Sequence, residues 1–125
     1  MTKVTFDKAL GIKPVTPNKD YRRVKLKIKP EHLNRDGIVH GGVIETLFDV
    51  ALASAVDESL EKGERCLTID LDVKFMEPAH LGETIYGVSE LVTRRRAVAF
   101  VKGHLETNEK RKIAMASGIW FIKKI

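Results

Sequence analysis

The chain has 125 residues, 43% of them hydrophobic, which suits one globular domain over residues 1–125 with a modest core. Its 22 Lys and Arg residues outnumber 17 Asp and Glu, so the net charge of +5 attracts anionic partners at long range. The sequence has no ribonucleoprotein motif, zinc-finger spacing or helix-turn-helix pattern, so we expect no nucleic-acid partner.

The sequence also favours a cytoplasmic location. Cys66 is the single cysteine, which rules out an intrachain disulfide and fits a reducing compartment. The first residues lack the apolar core of a signal peptide, and the longest apolar stretch is too short to cross a bilayer, so we expect no membrane association. No metal or other cofactor is expected, because metal-ligand spacing is missing among the four histidines, which are His32, His40, His80 and His104.

The first part of the chain is predicted to form a short helix and one strand. Residues 4–10 favour the helix, and Gly11, Pro14 and Pro17 interrupt the chain after it. Residues 21–29 alternate between apolar and basic side chains, which predicts a half-buried strand. Its apolar positions are Val24, Leu26 and Ile28, and its basic positions are Arg23, Lys25 and Lys27.

A polar, glycine-bearing loop over residues 31–41 leads into the longest predicted helix, which runs to about Leu60 and is ended by Gly63. Between residues 43 and 56 the polar residues are Glu45, Thr46, Asp49 and Ser54. A helix this apolar on all sides is normally buried. Asp49 is therefore expected in a poorly solvated place, where a carboxylate is costly unless it is paired or used chemically.

Four strands are predicted after the helix, over residues 67–76, 83–93, 97–107 and 112–123. In the first of these strands, one face is predicted to carry Leu67, Ile69, Leu71, Val73 and Phe75, and the other Thr68, Asp70, Asp72 and Lys74. Consecutive strands with short turns predict an antiparallel sheet, with the helix on one face. Apolar residues on the opposite face predict oligomerisation, and they are Val88, Val92, Val98 or Phe100, and Trp120.

The start of the long helix suits acyl chemistry. The first backbone N–H groups of a helix lack intrahelical acceptors and carry a partial positive charge. Gly41 and Gly42 have no side chains that would keep a ligand from these groups. Together with the Asp49 carboxylate, they are parts that acyl transfer can use.

One pattern joins the loop, the helix and a later segment, and its residues are Asn34, His40-Gly41-Gly42, Asp49, Pro78 and Gly82. This pattern resembles the signature of the hotdog-fold thioesterases, in the phenylacetyl-CoA thioesterase-like branch. The resemblance extends from about Tyr21 to Trp120. It implies an α+β hotdog fold, in which a curved antiparallel β-sheet wraps around one long central α-helix. It also implies an acyl-CoA thioesterase that works as a homodimer or as a homotetramer, a dimer of dimers.

The resemblance implies roles that the residue chemistry also supports. Asp49 is expected to activate water as general base or to attack the thioester directly, while the Gly41 N–H polarises the carbonyl. An ordinary surface ion pair of Asp49 with Arg or Lys is the alternative. Asn34 is similar to the asparagine that positions the carbonyl or water, although asparagine also favours turns. His40 either holds the loop or touches the substrate, and Thr68 either holds the attacking water or is an ordinary strand residue.

The run Arg94-Arg95-Arg96 lies at the predicted hairpin between residues 83–93 and 97–107. Arginine suits phosphate recognition, so we expect this run, together with Gly42, to bind acyl-CoA. A solvated turn explains the run equally well. Many members of the family have glycine where this chain has Arg95, which leaves the turn geometry open.

Two alternatives keep the hotdog fold, and a third is a different class of protein. A non-hydrolytic acyl-CoA-binding or regulatory hotdog protein would need the binding groups without turnover. The hotdog dehydratases use an Asp/His pair in a motif that this sequence lacks, and a nucleic-acid-binding β protein is supported by charge alone. Cys66 is not expected to be a nucleophile, because no histidine neighbours it in sequence.

The resemblance further implies that each active site is shared by two subunits, with Gly41 from one chain and Asp49 from its partner. Helix geometry agrees, because eight residues span about 12 Å along a helix. A carbonyl bound at the Gly41 N–H would lie about 3 Å beyond the helix start, out of reach of Asp49 on the same helix. Two antiparallel helices side by side would bring the groups together twice, by two-fold symmetry.

Overall fold

The structure is a computed structural model that describes residues 4–16 and 19–125. The helices are α1 (Phe6–Leu10) and α2 (Gly41–Asp57), and a short 3-10 helix covers Pro30–His32. The strands are β1 (Lys13–Pro14), β2 (Arg22–Lys27), β3 (Glu64–Phe75), β4 (Thr84–Arg95), β5 (Val98–Thr107) and β6 (Lys112–Lys124). Pro17, a predicted chain break, lies outside the described residues.

The six strands form one antiparallel sheet in the order β1-β2-β4-β5-β6-β3. Helix α2 contacts β2, β3, β4, β5 and β6, because the sheet curls around it. The predicted α+β hotdog architecture is therefore confirmed. Strand β3 lies at an edge of the sheet, and among the described residues it pairs with β6 alone.

Helix α2 is buried along one stripe rather than all round. Its buried residues follow the helical spacing of three and four positions and are Val43, Ile44, Leu47, Phe48, Ala51, Leu52, Ala55 and Val56. The opposite stripe of Gly42, Thr46, Asp49 and Ala53 is exposed or half-buried. The expectation that Asp49 is poorly solvated is thus wrong for the single chain, because one sheet covers only one side of a helix.

A β-bulge in β3 reverses the predicted alternation of its side chains. Pairing with β6 passes from Thr68 directly to Asp70, so Ile69 is the extra residue. Leu67 and Ile69 are consequently each 57% exposed, while Thr68 contacts α2 and Leu71 packs against the core. The prediction of one continuous apolar face from Leu67 to Phe75 is therefore wrong.

Trp120 was also placed on the wrong face by the sequence pattern. It is only 1% exposed and belongs to the core, where its partners across the sheet are Ala99 of β5 and Thr68 of β3. Gly118 makes room for the indole, because a Cβ at this position would lie 2.4 Å from the ring. Val92 and Phe100, by contrast, are exposed as predicted.

Candidate active site

The loop before α2 is built around Asn34. Its side-chain oxygen accepts hydrogen bonds from the backbone N–H groups of Asp36 at 2.9 Å and Ile38 at 3.2 Å. Its own N–H donates to the Ile38 carbonyl at 2.7 Å. These bonds form the turn and fix the amide plane, and the Nδ2 group of Asn34 has no acceptor among the described residues. Asn34 can therefore shape the loop and still offer a donor to a ligand.

His40 caps the start of α2. Its Nδ1 atom accepts the Gly42 N–H at 2.8 Å, so that donor is already used within the chain. A Cβ at Gly42 would lie 3.1 Å from the same nitrogen, which is why a residue without a side chain fits there. The Gly41 N–H, in contrast, has no acceptor among the described residues. The structure thus leaves one helix-start amide for a ligand and gives His40 a holding role.

A cavity of about 390 Å³ opens beside this amide. Gly41 and Asn34 line it together with apolar side chains that include Ile44, Phe75 and Ile113. The Phe75 ring would lie 3.6 Å from a Cβ at Gly41, so the cavity begins directly at the helix start. The cavity has two free hydrogen-bond donors, from Gly41 and Asn34, at one end and mainly apolar side chains elsewhere. This lining suits a ligand in which a carbonyl group is joined to a hydrocarbon.

Residues 76–79 line one side of this cavity, and Arg111 joins them to Glu83 further along the same loop. Its guanidinium donates to Glu77 at 3.0 Å, to the Pro78 carbonyl at 3.3 Å and to both oxygens of Glu83 at 3.0 and 2.9 Å. Partial burial acts to raise the pKa of Glu83, but the hydrogen bonds from Arg111 hold it below the ordinary value. Sequence reasoning missed Arg111, because its partners lie about 30 residues away in the chain.

Asp49 and Thr68, two of the predicted site residues, form a hydrogen-bonded pair between α2 and β3. The Thr68 hydroxyl donates to Asp49 Oδ1 at 2.7 Å, and this contact exists because the bulge at Ile69 turns Thr68 towards α2. No Lys or Arg is paired with Asp49 among the described residues, so the surface ion pair weighed from the sequence is not formed. The described lining of the cavity beside Gly41 does not include Asp49, and one chain does not bring the two groups together.

The arginine run lies near the other end of α2. Arg94 donates to both oxygens of Glu64 at 3.0 and 2.8 Å and to the Ser59 carbonyl at 3.1 Å. Hydrogen bonds from Arg94 lower the pKa of Glu64 to about 2. Arg94 is thus held in a structural pair, whereas Arg95 and Arg96 are exposed.

Cys66 has the environment of an unreactive thiol. It donates to Asp57 at 3.4 Å, and partial burial together with this carboxylate raises its pKa to about 11. A thiol with so high a pKa is protonated at neutral pH and is a poor nucleophile. His32 is fully buried and bonded to Lys29 and Leu10, so it supports the loop. No cluster of three metal-ligating side chains occurs in the described part of the chain.

A free amide at a helix start, an apolar cavity and a half-buried carboxylate with a hydroxyl partner, carried by a hotdog fold, define a protein suited to acyl transfer. The family model for the thioesterase superfamily matches residues 36–114. The chain belongs to this superfamily, which confirms the resemblance found in the sequence.

Individual relatives agree with this assignment. A protein of Archaeoglobus fulgidus, provisionally named an esterase, is 31% identical over 98 residues, which are 78% of this chain and 62% of that protein. The chain therefore matches less than two thirds of that relative. Human acyl-coenzyme A thioesterase 13 is 28% identical over 94% of both chains. A Ralstonia eutropha structure, described as that of a provisional thioesterase related to phenylacetic acid degradation, has a TM-score of 0.81 and 26% identity over 92% of this chain and 87% of its own.

None of the helices within residues 4–16 and 19–125 combines the length and hydropathy that a membrane span requires. The cytoplasmic location stays a prediction.

Proposed function

We propose that the protein hydrolyses acyl-CoA thioesters to a free acid and CoA. The observation that carries this proposal is the Gly41 N–H, which has no acceptor among the described residues and lies at the mouth of an apolar cavity, where the partial positive charge of a helix start suits a developing oxyanion. Family membership supports the hydrolytic reaction. The name of the human relative supports coenzyme A as the thiol.

In the proposed reaction, the thioester oxygen accepts the Gly41 N–H, and the positive end of the α2 dipole stabilises the negative charge that develops on it. The free Nδ2 of Asn34 supplies a second donor. Asp49 removes a proton from the attacking water, or attacks the carbonyl itself to form an anhydride that water then cleaves. In both routes the C–S bond breaks and the CoA thiolate leaves and is protonated.

Thr68 and His40 support these groups. The Thr68 hydroxyl holds one oxygen of Asp49, which leaves the other to bind water. His40 fixes the first turn of α2 through the Gly42 N–H, so the neighbouring Gly41 N–H keeps its direction. Gly42 itself contributes the space that the imidazole needs.

The catalytic parts meet only between two chains. The uncovered stripe of α2 centres on Asp49 and carries Gly42 and Ala53, whose small size permits a second helix to approach closely. The outer edge of β3, which no strand pairs with among the described residues, offers a matching strand for the same partner. Exposed Phe100, Met115 and Phe121 on the sheet's other face, with Val92 of β4, would join two such dimers into a tetramer.

Subunit mixing tests the shared site. Asp49→Ala removes the carboxylate, and Gly41→Val fills the helix start, where a Cβ meets only the Phe75 ring at ordinary contact distance. Each homodimer should be nearly inactive. When the two are unfolded and refolded together, about half of the dimers are mixed and each has one intact site, so roughly a quarter of the wild-type activity should return.

Two results would contradict parts of this proposal. If mixed dimers form and stay inactive, each chain carries its own complete site. If the wild-type protein binds CoA but releases no thiol from short, long or aryl acyl-CoAs, it is a non-hydrolytic acyl-CoA-binding protein instead. The same panel of substrates would identify the acyl group.

A further inference from the structure

Four lysines line a single groove on the face of the sheet that points away from α2. Lys25, Lys27 and Lys29 follow one another at every second position of β2 and its extension, and Lys13 of β1 completes the set. The groove has a volume of about 320 Å³. Tyr86, Thr84 and Asn108 also line it and can supply neutral hydrogen-bond donors.

The positive charge of this groove is not neutralised by the protein. All four lysines are exposed, and none is paired with a carboxylate in the described part of the chain. The nearby acids are engaged elsewhere, since Glu106 binds Arg22 and His104, and Glu83 binds Arg111. Lys13 and Lys25 even stand directly opposite each other across β1 and β2. Like charges directly opposite each other destabilise a sheet, and an anion bound between them would relieve this repulsion.

The groove leads towards the proposed active site. An adjoining groove of about 360 Å³ shares Lys27, Thr84 and Asn108 with it and continues along Leu81 and Gly82. Residues 77–79 of the loop after β3 line the cavity of Gly41, and residues 81–83 of the same loop line this path, so only a short stretch of chain separates the two. Glu109 is the one further carboxylate that lines the path, at the end away from Lys25 and Lys29.

We propose that the groove formed by Lys13, Lys25, Lys27 and Lys29 binds the phosphates of the CoA nucleotide while the thioester lies at Gly41. This inference rests on the proposed function. The pantetheine arm crosses the loop of residues 77–83 and connects the two places. Lysine ammonium groups act as point charges that attract phosphate without a fixed geometry, which suits a groove lined by exposed lysines that have no carboxylate partner among the described residues. The arginine run is then not the main phosphate contact.

The test compares two variants with the same change in net charge. The groove variant carries Lys25→Gln, Lys27→Gln and Lys29→Gln. The control carries Lys62→Gln, Lys123→Gln and Lys124→Gln, which lie near the opposite end of α2, beside the start of β3. The groove variant should raise KM for acyl-CoA on the order of 10-fold at low salt, and change KM for the acyl-pantetheine thioester by less than about 2-fold. The control should leave both values near wild type.

Direct binding separates this inference from the proposed hydrolysis. Adenosine 3′,5′-bisphosphate should bind the wild-type protein in calorimetry, bind the groove variant on the order of 10-fold more weakly, and compete with acyl-CoA. This result can be obtained even if the protein releases no thiol. Because like charges are removed, the groove variant should melt at the wild-type temperature or above, so a fall in affinity is not a loss of folding.

Three outcomes would overturn the inference. KM values that rise equally for acyl-CoA and acyl-pantetheine would assign the lysines a structural role. A loss of bisphosphate binding in an Arg95→Gln, Arg96→Gln variant, with none in the groove variant, would return phosphate binding to the arginine turn. Bisphosphate that binds the groove without competing with acyl-CoA would make it a separate effector site.

Discussion

The two ends of α2 differ in whether their polar groups are hydrogen-bonded within the chain. At the end where the helix begins, the Gly41 N–H and the Asn34 amide have no acceptors among the described residues, and an apolar cavity lies beside them. At the other end, Asp57 accepts from Cys66, and Arg94 joins Glu64 to the Ser59 carbonyl. A half-buried donor without a protein partner can bind water or a ligand, whereas a donor already bonded within the chain cannot. We call the end at Asp57, Glu64 and Arg94 the closed end, because its polar groups bond one another and stabilise the fold. The end at Gly41 and Asn34 is the open end, and its donors are available for chemistry.

The largest expected effect is a loss of kcat on substitution of Asp49 that substitution of Asp57, the carboxylate at the closed end of the same helix, does not cause. Asp49 accepts from Thr68 and Asp57 accepts from Cys66, so both have one partner on β3. Asp49→Asn should lower kcat at least ~100-fold, because the isosteric amide cannot act as base or nucleophile. Asp57→Asn should leave kcat near wild type. Thiol release, with melting temperatures as a check on folding, measures both, and a fully active Asp49→Asn would remove Asp49 from the mechanism.

A smaller effect is expected at Thr68, whose hydroxyl orients Asp49 at 2.7 Å. Thr68→Val keeps the shape and removes the donor, and should lower kcat about 10-fold. Thr68→Ser keeps the hydroxyl and should retain most of the activity. Steady-state kinetics of the two Thr68 variants test this role. Equal kcat values for the valine and serine variants would show that the hydroxyl is dispensable.

Arg111 and Arg94 allow the open and closed ends of α2 to be compared through two arginines. Arg111 holds the wall of the cavity, and Arg94 holds the closed end. Arg111→Gln should raise KM and lower kcat about 5-fold together, because residues 77–83 lose their fastening and the substrate is less well positioned. Arg94→Gln should lower the melting temperature with little change in kinetics. If both variants have lower melting temperatures and unchanged kinetics, Arg111 does not position the substrate.

The smallest effect is a pH dependence at the closed end. The pKa of Glu64 is about 2 in the folded chain, against an ordinary value of 4.5, because Arg94 favours the ionised form. This pair therefore stabilises the fold above pH 4.5 and loses its contribution as the pH falls from 4.5 towards 2. Glu64→Gln should lower the melting temperature at pH 6 and flatten its decline in acid. Parallel melting curves for wild type and variant would exclude this role.

Local sequence was enough to predict the long helix, the antiparallel strands and the pattern around Asn34, His40, Gly41 and Asp49. Periodicity and capping act over a few residues, so the sequence shows them directly. It also predicts acyl chemistry at the start of α2, since the free N–H groups there follow from helix geometry alone, and this assignment stays a prediction.

Contacts between distant residues were decided by the tertiary structure. The extra residue at Ile69 turned Thr68 towards Asp49, and register with β5 and β3 brought Trp120 into the core. Arg94 was taken up by Glu64, while Arg111 reached the cavity wall. Such outcomes depend on strand register and on which charges meet across the sheet, and a one-residue shift in a strand reverses every side chain beyond it.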